Sequence, residues 1–176
     1  MPNENIYVGS DASLVLSVEQ DDSSSEGSLA SDLISEFDLS TVVGRLHKVQ
    51  IRVEQDLRPY HELGNRYASD LRPGMIRVSG TSERAHINGA LLSLMLGDGA
   101  QSAAPKGSFA QPSFNMVINL NSPAREKITN KLVVFGVKFE SWDFTAPEDD
   151  FVMESVTFKA LRIAVEEEEG GGDEGE

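Results

Sequence analysis

His61-Glu62 carries the sharpest chemical suggestion in the chain. On a helix, His-Glu-x-x-His sets two imidazoles on one face to hold zinc, with the glutamate as base. Position 65 is Asn, so the second ligand is missing. His47 falls in the inward register of a strand and His86 near a helix start, so the three histidines have no ligand spacing. Gly97-Asp98-Gly99 begins like a dinucleotide loop, but Ser102 stands where the third glycine belongs, and the loop follows a helix rather than a strand. Lys106-Gly107-Ser108 has phosphate-loop letters in the wrong order, and no Gly-x-Ser-x-Gly elbow occurs. Glu148-Asp149-Asp150 could hold Ca²⁺ weakly, yet an acidic turn between strands needs no ion. The expectation is a protein with no catalytic residue, no cofactor and no metal, hence not an enzyme.

A second constellation concerns binding. Residues 56–73 gather Arg58, Arg66 and Arg72 with Tyr60 and Tyr67, and add Leu57, Leu63 and Leu71. Aromatics beside bases can stack single-stranded nucleic acid. The same residue types mark protein–protein hot spots. Net charge helps to decide between them. Of the formal charge of −14, residues 1–44 supply nine carboxylates without a base, and 166–176 supply seven. The stretch 45–165 keeps fifteen bases against thirteen acids, which is nearly neutral and offers no basic stripe for phosphates. A protein partner is the favoured reading, and the acidic ends are read as solubility and self-repulsion.

The elements that position these residues are mostly strands. Leu14, Leu16 and Val18 alternate with polar residues, which predicts a strand within 8–22. Residues 21–28 read as a polar loop, and Leu29, Leu33, Ile34 and Phe37 as one short helix or a packed loop. Val43, Val49, Ile51 and Val53 alternate with Lys48, Gln50, Arg52 and Glu54, the pattern of a half-buried strand. Ile76 and Val78 resume a strand over 74–79, leaving 56–73 as a long inter-strand loop with an internal echo, Asp-Leu-Arg-Pro at 56–59 and 70–73. Thr81 or Ser82 predicts a helix N-cap, and Ile87, Leu91, Leu94 and Met95 continue a helix over 82–96. Alternation then predicts strands around Phe114, Met116, Ile118 and Leu120, and around Val152, Val156, Phe158 and Ala160. Between them Leu132–Phe139 is apolar on both faces at its start, as in a central strand. Residues 166–176 offer nothing for a core and are expected to be a flexible tail behind a single domain spanning 1–165.

At 176 residues the chain is long enough for a real core. It has no cysteine, so no disulfide or thiolate site is possible. No apolar run approaches the ~20 residues that span a bilayer, and residues 1–8 lack a signal-peptide pattern. A soluble chain with no membrane partner is expected.

The order of parts resembles the phage tail tube protein family. The likeness rests on the strand HKVQIRVEQ at 47–55, the connection LRPYHELGNRYASDLRPG at 57–74, the strand MIRVSGTSERA at 75–85 and the helix INGALLSLMLG at 87–97. The unit LVVFGVKFESWDFTAPEDDFVMESVTFKALRI at 132–163 is similar to the closing hairpin of tube proteins. The resemblance implies a mainly β, antiparallel barrel or sandwich with one flanking helix. It implies copies of the chain in rings of six, stacked into a tail tube in the virion and assembled in the host cytoplasm. The tube would conduct DNA without binding it specifically, and would meet tape measure, baseplate, terminator and sheath proteins. Leu57, Arg58, Tyr60, Leu63, Arg66, Tyr67, Leu71 and Arg72 would form the inter-ring contact, against the alternative that 56–73 folds back as a lid on its own domain. Two other readings stay open: a tube of a contractile injection or secretion system carrying protein effectors, and a single-stranded-DNA-binding barrel.

Overall fold

The computed structural model describes residues 9, 12–18, 24–40, 43, 46–100, 110–121 and 128–169. Among these, seven strands run in the order β1 (Ala12–Ser17), β2 (Leu46–Tyr60), β3 (Asp70–Ala85), β4 (Phe114–Asn121), β5 (Ile128–Thr145), β6 (Met153–Ala160) and β7 (Arg162–Glu169). Two helices, α1 (Ser25–Glu36) and α2 (Ala90–Leu96), interrupt them. All pairings are antiparallel, in the order β1-β4-β5-β6-β3-β2, with β7 also on β5, and the sheet curls into a half-barrel.

The curl has a local cause. β5 is long enough to serve two neighbourhoods: its first half lies between β4 and β7, and its second half pairs β6. β6 and β7 follow one another along the same edge of β5, separated only by Leu161, whose N–H donates to the Phe135 carbonyl at 3.0 Å. Level with that break, β5 bulges at Gly136, which sits at φ +63. An L side chain there would be strained, and an added Cβ would press on the Leu161 side chain. The Asn115 side chain accepts the Gly136 N–H at 3.1 Å, replacing the ladder bond the bulge removes.

One face of the sheet, the one the helices cover, holds the core. Leu14 and Leu16 of β1, Phe114 and Met116 of β4, Val134, Val137 and Phe139 of β5 and Val156 and Phe158 of β6 are buried there under Leu33, Ile34, Leu91 and Leu94 of the helices. Phe114 and Phe139 meet edge to face with centroids 5.0 Å apart. The alternations at 14–18, 114–120 and 152–160 therefore form strands with their apolar members inward, and 132–135, the start of the apolar run, lies between β4 and β7.

Local chemistry explains the helix boundaries. The Ser24 hydroxyl caps α1 by accepting the Gly27 N–H at 3.1 Å. Asp38 at φ 52 ends it, with Asp38 N–H bonded to Ser35 O and Leu39 N–H to Ile34 O, the bond pattern of a left-handed C-terminal turn. The choice between short helix and packed loop at 29–37 thus resolves as helix, which gives two helices rather than the one flanking helix expected. The helix expected over 82–96 is shorter, because 81–85 stay in β3. Ser82, Glu83 and Arg84 there pair with both β2 and β6, and a doubly paired strand outweighs a weak helical period. Ile87, read as a helix-face residue, lies in the connection and is exposed. The acidic tail also begins later than expected, since 166–169 complete β7 opposite 131–128 of β5. Glu166 stands directly across from Lys131, a favourable cross-strand pair. Residues 170–176 lie outside the described residues.

Candidate assembly interface

The expected loop over 56–73 is instead a two-stranded arm. β2 and β3 stay paired out to Tyr60↔Asp70, so only 61–69 connect them. The repeated Leu-Arg-Pro explains the register. Run antiparallel, the two copies place Leu57 opposite Pro73, Arg58 opposite Arg72 and Pro59 opposite Leu71. Proline has no N–H, so the outer pairs are non-hydrogen-bonded ones and the arginine pair between them carries the ladder bonds. Both strands are edges here, where proline is tolerated. β3 has its second neighbour, β6, only from Val78 inward. At about 3.3 Å per residue, 54–60 carry the tip roughly 20 Å past the end of β6.

A bulge keeps the arm amphipathic. The register slips between Gln55 and Leu57, where one residue of β2, Asp56, faces Gly74 and Met75 of β3. Inward of the slip, Val53 and Val78 share a face; beyond it, Leu57, Pro59, Leu71 and Pro73 share the same one. Without the extra residue, Leu71 and Pro73 would fall on the arginine face. Arg77 clamps the bulge with a bidentate bond to Asp56, both arms at 3.0 Å. The apolar face of the core thus runs out along the arm with nothing over it. Leu57 is 57% exposed, Tyr67 88% and Leu63 fully so, and Tyr60 and Leu71 are similarly open. The arm therefore does not lie back as a lid on its own domain.

All eight residues singled out in 56–73 sit on this arm. Leu57, Arg58 and Tyr60 are on β2, Leu71 and Arg72 on β3, and Leu63, Arg66 and Tyr67 in the tip. Leu57 and Leu71 share the apolar face, while Arg58 and Arg72 share the other. Arg72 bonds Asp70 at 3.1 Å. His61-Glu62 leads into a turn in which Asn65 N–H meets Glu62 O at 3.1 Å, with Gly64 at φ 89 in the third position. The near-zinc sequence is therefore not helical. His47 stands at a bulge of β2 and is exposed, not inward. Lys106-Gly107-Ser108 lies outside the described residues, and among those described no group of three or more His, Asp or Glu is placed to hold a metal.

Sequence reasoning missed two features of the sheet. One is its pair of open edges. Among the described residues, the half formed by β2, β3, β6 and the end of β5 has no strand on the outer side of β2 and none beyond 138–145 of β5. Its face away from the core carries a row of small polar groups, Gln50, Thr81, Thr157 and Ser141, in register across the four strands. Ser141 and Thr157 share a hydroxyl bond of 2.7 Å. The other missed feature is a buried ion pair: Arg84 Nε donates to Glu154 Oε1 at 2.6 Å, and both side chains are almost fully enclosed. Glu154 Oε2 accepts the Trp142 indole N–H at 3.0 Å, and Arg84 also reaches Asn88 Oδ1, which accepts the Ala90 N–H as well. Alternation over 152–160 puts 154 on the inner face, but 84 fell within the helix expected over 82–96, and nothing in the sequence pairs the two.

No family model matches this sequence, and no curated protein is similar to it. Solved structures are similar in fold. The sheath–tube complex of an extracellular contractile injection system, PVC, in its extended state contains a chain that superposes with a TM-score of 0.61 at 12% identity, covering 93% of each chain. The cap that terminates the anti-feeding prophage tube gives 0.59 at 11% identity, over 94% of each chain. The SPP1 tail tube gives 0.57 at 11% identity, over 96% of this chain and 81% of that one. Across nearly its whole length, this chain has the fold of tube and tube-cap proteins from contractile injection systems and of a phage tail tube.

Proposed function

We propose that the chain is a structural subunit of a phage tail tube. Copies join edge to edge through the half-sheet β2-β3-β6-β5, forming a closed ring of six around a channel. Rings then stack through the arms into a tube. What supports this most directly is the half-sheet with two open edges at opposite ends. Such edges template pairing with another chain, and closing them into a barrel removes the hazard. The row of hydroxyl and amide groups on the face away from the core would line the channel, a wall that wets easily and does not grip phosphates. The tube would guide DNA from virion to host and meet sheath, baseplate, terminator and tape measure proteins. No reaction is asked of any residue.

The likeness to injection-system tubes favours one second reading, in which the same tube carries protein effectors. Electron microscopy of the purified protein tests the shared part. Rings or hollow tubes are expected. Monomers at high concentration that bind oligonucleotides would overturn it in favour of a single-stranded-DNA-binding barrel. The contents of tubes isolated from producing cells then separate DNA from protein cargo.

A further inference from the structure

The sheet half that carries the arm has an opposite pole, and its surface differs in kind. β3, β5 and β6 end there level with one another, at Ala85, Thr145 and Met153. The end of β5 and the connections beyond the strands expose three apolar side chains, Phe144, Ile87 and Phe151, the last 78% open. They adjoin: His86 N–H donates to Val152 O at 2.9 Å, and the His86 ring meets Phe144 edge to face at 5.1 Å. Phe144 is further backed by stacking on Trp142 at 5.7 Å. Asp150 Oδ1 accepts the Phe151 N–H at 2.7 Å and holds the turn. The patch is thus presented on a fixed support, at little ordering cost to a partner. Its rim is Glu148, Asp149 and Asp150, all exposed, and 140–152 contain no base.

We propose that this pole is the seat for the arm of the next copy along the tube. The inference rests on the tube reading above and names the partner surface which that reading leaves open. A filament built by repeating one step needs two different patches, at opposite ends of one molecule, that fit each other. The arm offers uncovered Leu57, Leu63 and Tyr67 beside Arg58 and Arg66, neither of which has an ion pair among the described residues. The pole offers uncovered aromatics rimmed by carboxylates. Apolar anchors supply contact and opposite charges fix the direction of stacking.

Charge reversal at each end tests the match. Arg58→Glu with Arg66→Glu gives an acidic arm on an acidic pole; Glu148→Lys with Asp149→Lys gives a basic pole facing a basic arm. Each variant alone should still form rings, but its critical concentration for elongation should rise about tenfold or more. Mixing the two should yield alternating co-tubes, and all four changes in one chain should elongate unaided. Phe151→Ala should impair elongation in a way that added salt does not relieve, whereas salt should blunt the reversal effects. If wild-type protein forms tubes and pole reversal leaves them unchanged, this inference falls while the tube reading stands. If single reversals block elongation but neither mixture nor combination restores it, the two surfaces are not partners and the pole serves another tail protein. If the wild type forms neither rings nor tubes, the tube reading fails and this inference with it.

Discussion

Arg84 and Glu154 show how one pair of charges can be tolerated in a core of aliphatic and aromatic groups. Both are enclosed, so each must find its counter-charge and hydrogen bonds inside the protein. Glu154 uses both oxygens, one for Arg84 and one for the Trp142 indole, and so ties β3, β5 and β6 together at the end of the core. Removing one partner leaves the other charge stranded. Glu154→Ala should therefore lower the unfolding free energy by roughly 3–5 kcal/mol, measured by urea titration. The double change Arg84→Met with Glu154→Leu strands no charge and should cost distinctly less than Glu154→Ala alone. A double variant as unstable as the single would mean that packing, rather than the unpaired charge, sets the loss.

Among the elements, the arm and β7 test opposite expectations. An isolated two-stranded ribbon is marginal in water, and this one leaves its apolar face uncovered. Its contribution to the fold of a single copy should be small. Replacing 57–72 by an Asn-Gly turn should leave the thermal midpoint within a few degrees and keep ring formation, yet stop elongation. A large drop in midpoint, with core surface exposed to a dye, would show that the arm supports its own domain. β7 is the reverse case. Removing 170–176 should leave stability unchanged. Removing 166–176 takes half of the partner strand from the first part of β5 and should cost on the order of 1 kcal/mol or more. Equal stability of the two truncations would mean that the glutamate run adds nothing to the ladder.

For the whole molecule, the question is whether the open edges pair between copies. The natural chain has no cysteine, so introduced pairs report cleanly. Gln50 on β2 and Ser141 on β5 stand in one row at opposite edges of the half-sheet, three strand spacings or roughly 14 Å apart. That is beyond disulfide reach within one chain. Gln50→Cys combined in turn with Ser141→Cys, Asp143→Cys or Thr145→Cys should, in one register, cross-link neighbours. The product on a denaturing gel should be a ladder that stops at a closed ring. Rings that form normally while no combination cross-links would rule out edge pairing as the ring contact.

What the sequence determined by itself was set by neighbours along the chain. Period-two alternation placed the strands around Leu14–Leu16, Val49–Val53, Phe114–Met116 and Val156–Phe158 and chose their buried faces, because side-chain direction in a strand depends only on the backbone. The doubly apolar run at 132–139 marked the strand with two neighbours for the same reason. The eight arm residues could be picked out as surplus apolar and arginine groups with no room in a core. Their arrangement could not be read. Whether 56–73 is a loop or a ribbon, and which face Leu71 takes, depends on the register of Leu-Arg-Pro against Leu-Arg-Pro and on one bulged residue. The Arg84–Glu154 pair joins positions 70 apart. The strand fate of 81–85 and of 166–169 was decided by partners supplied from distant segments, β2 and β6 for the first and β5 for the second. Pairing energies of that kind exist only once the chain has folded, so tertiary contact alone could overrule the local helical period and the high charge.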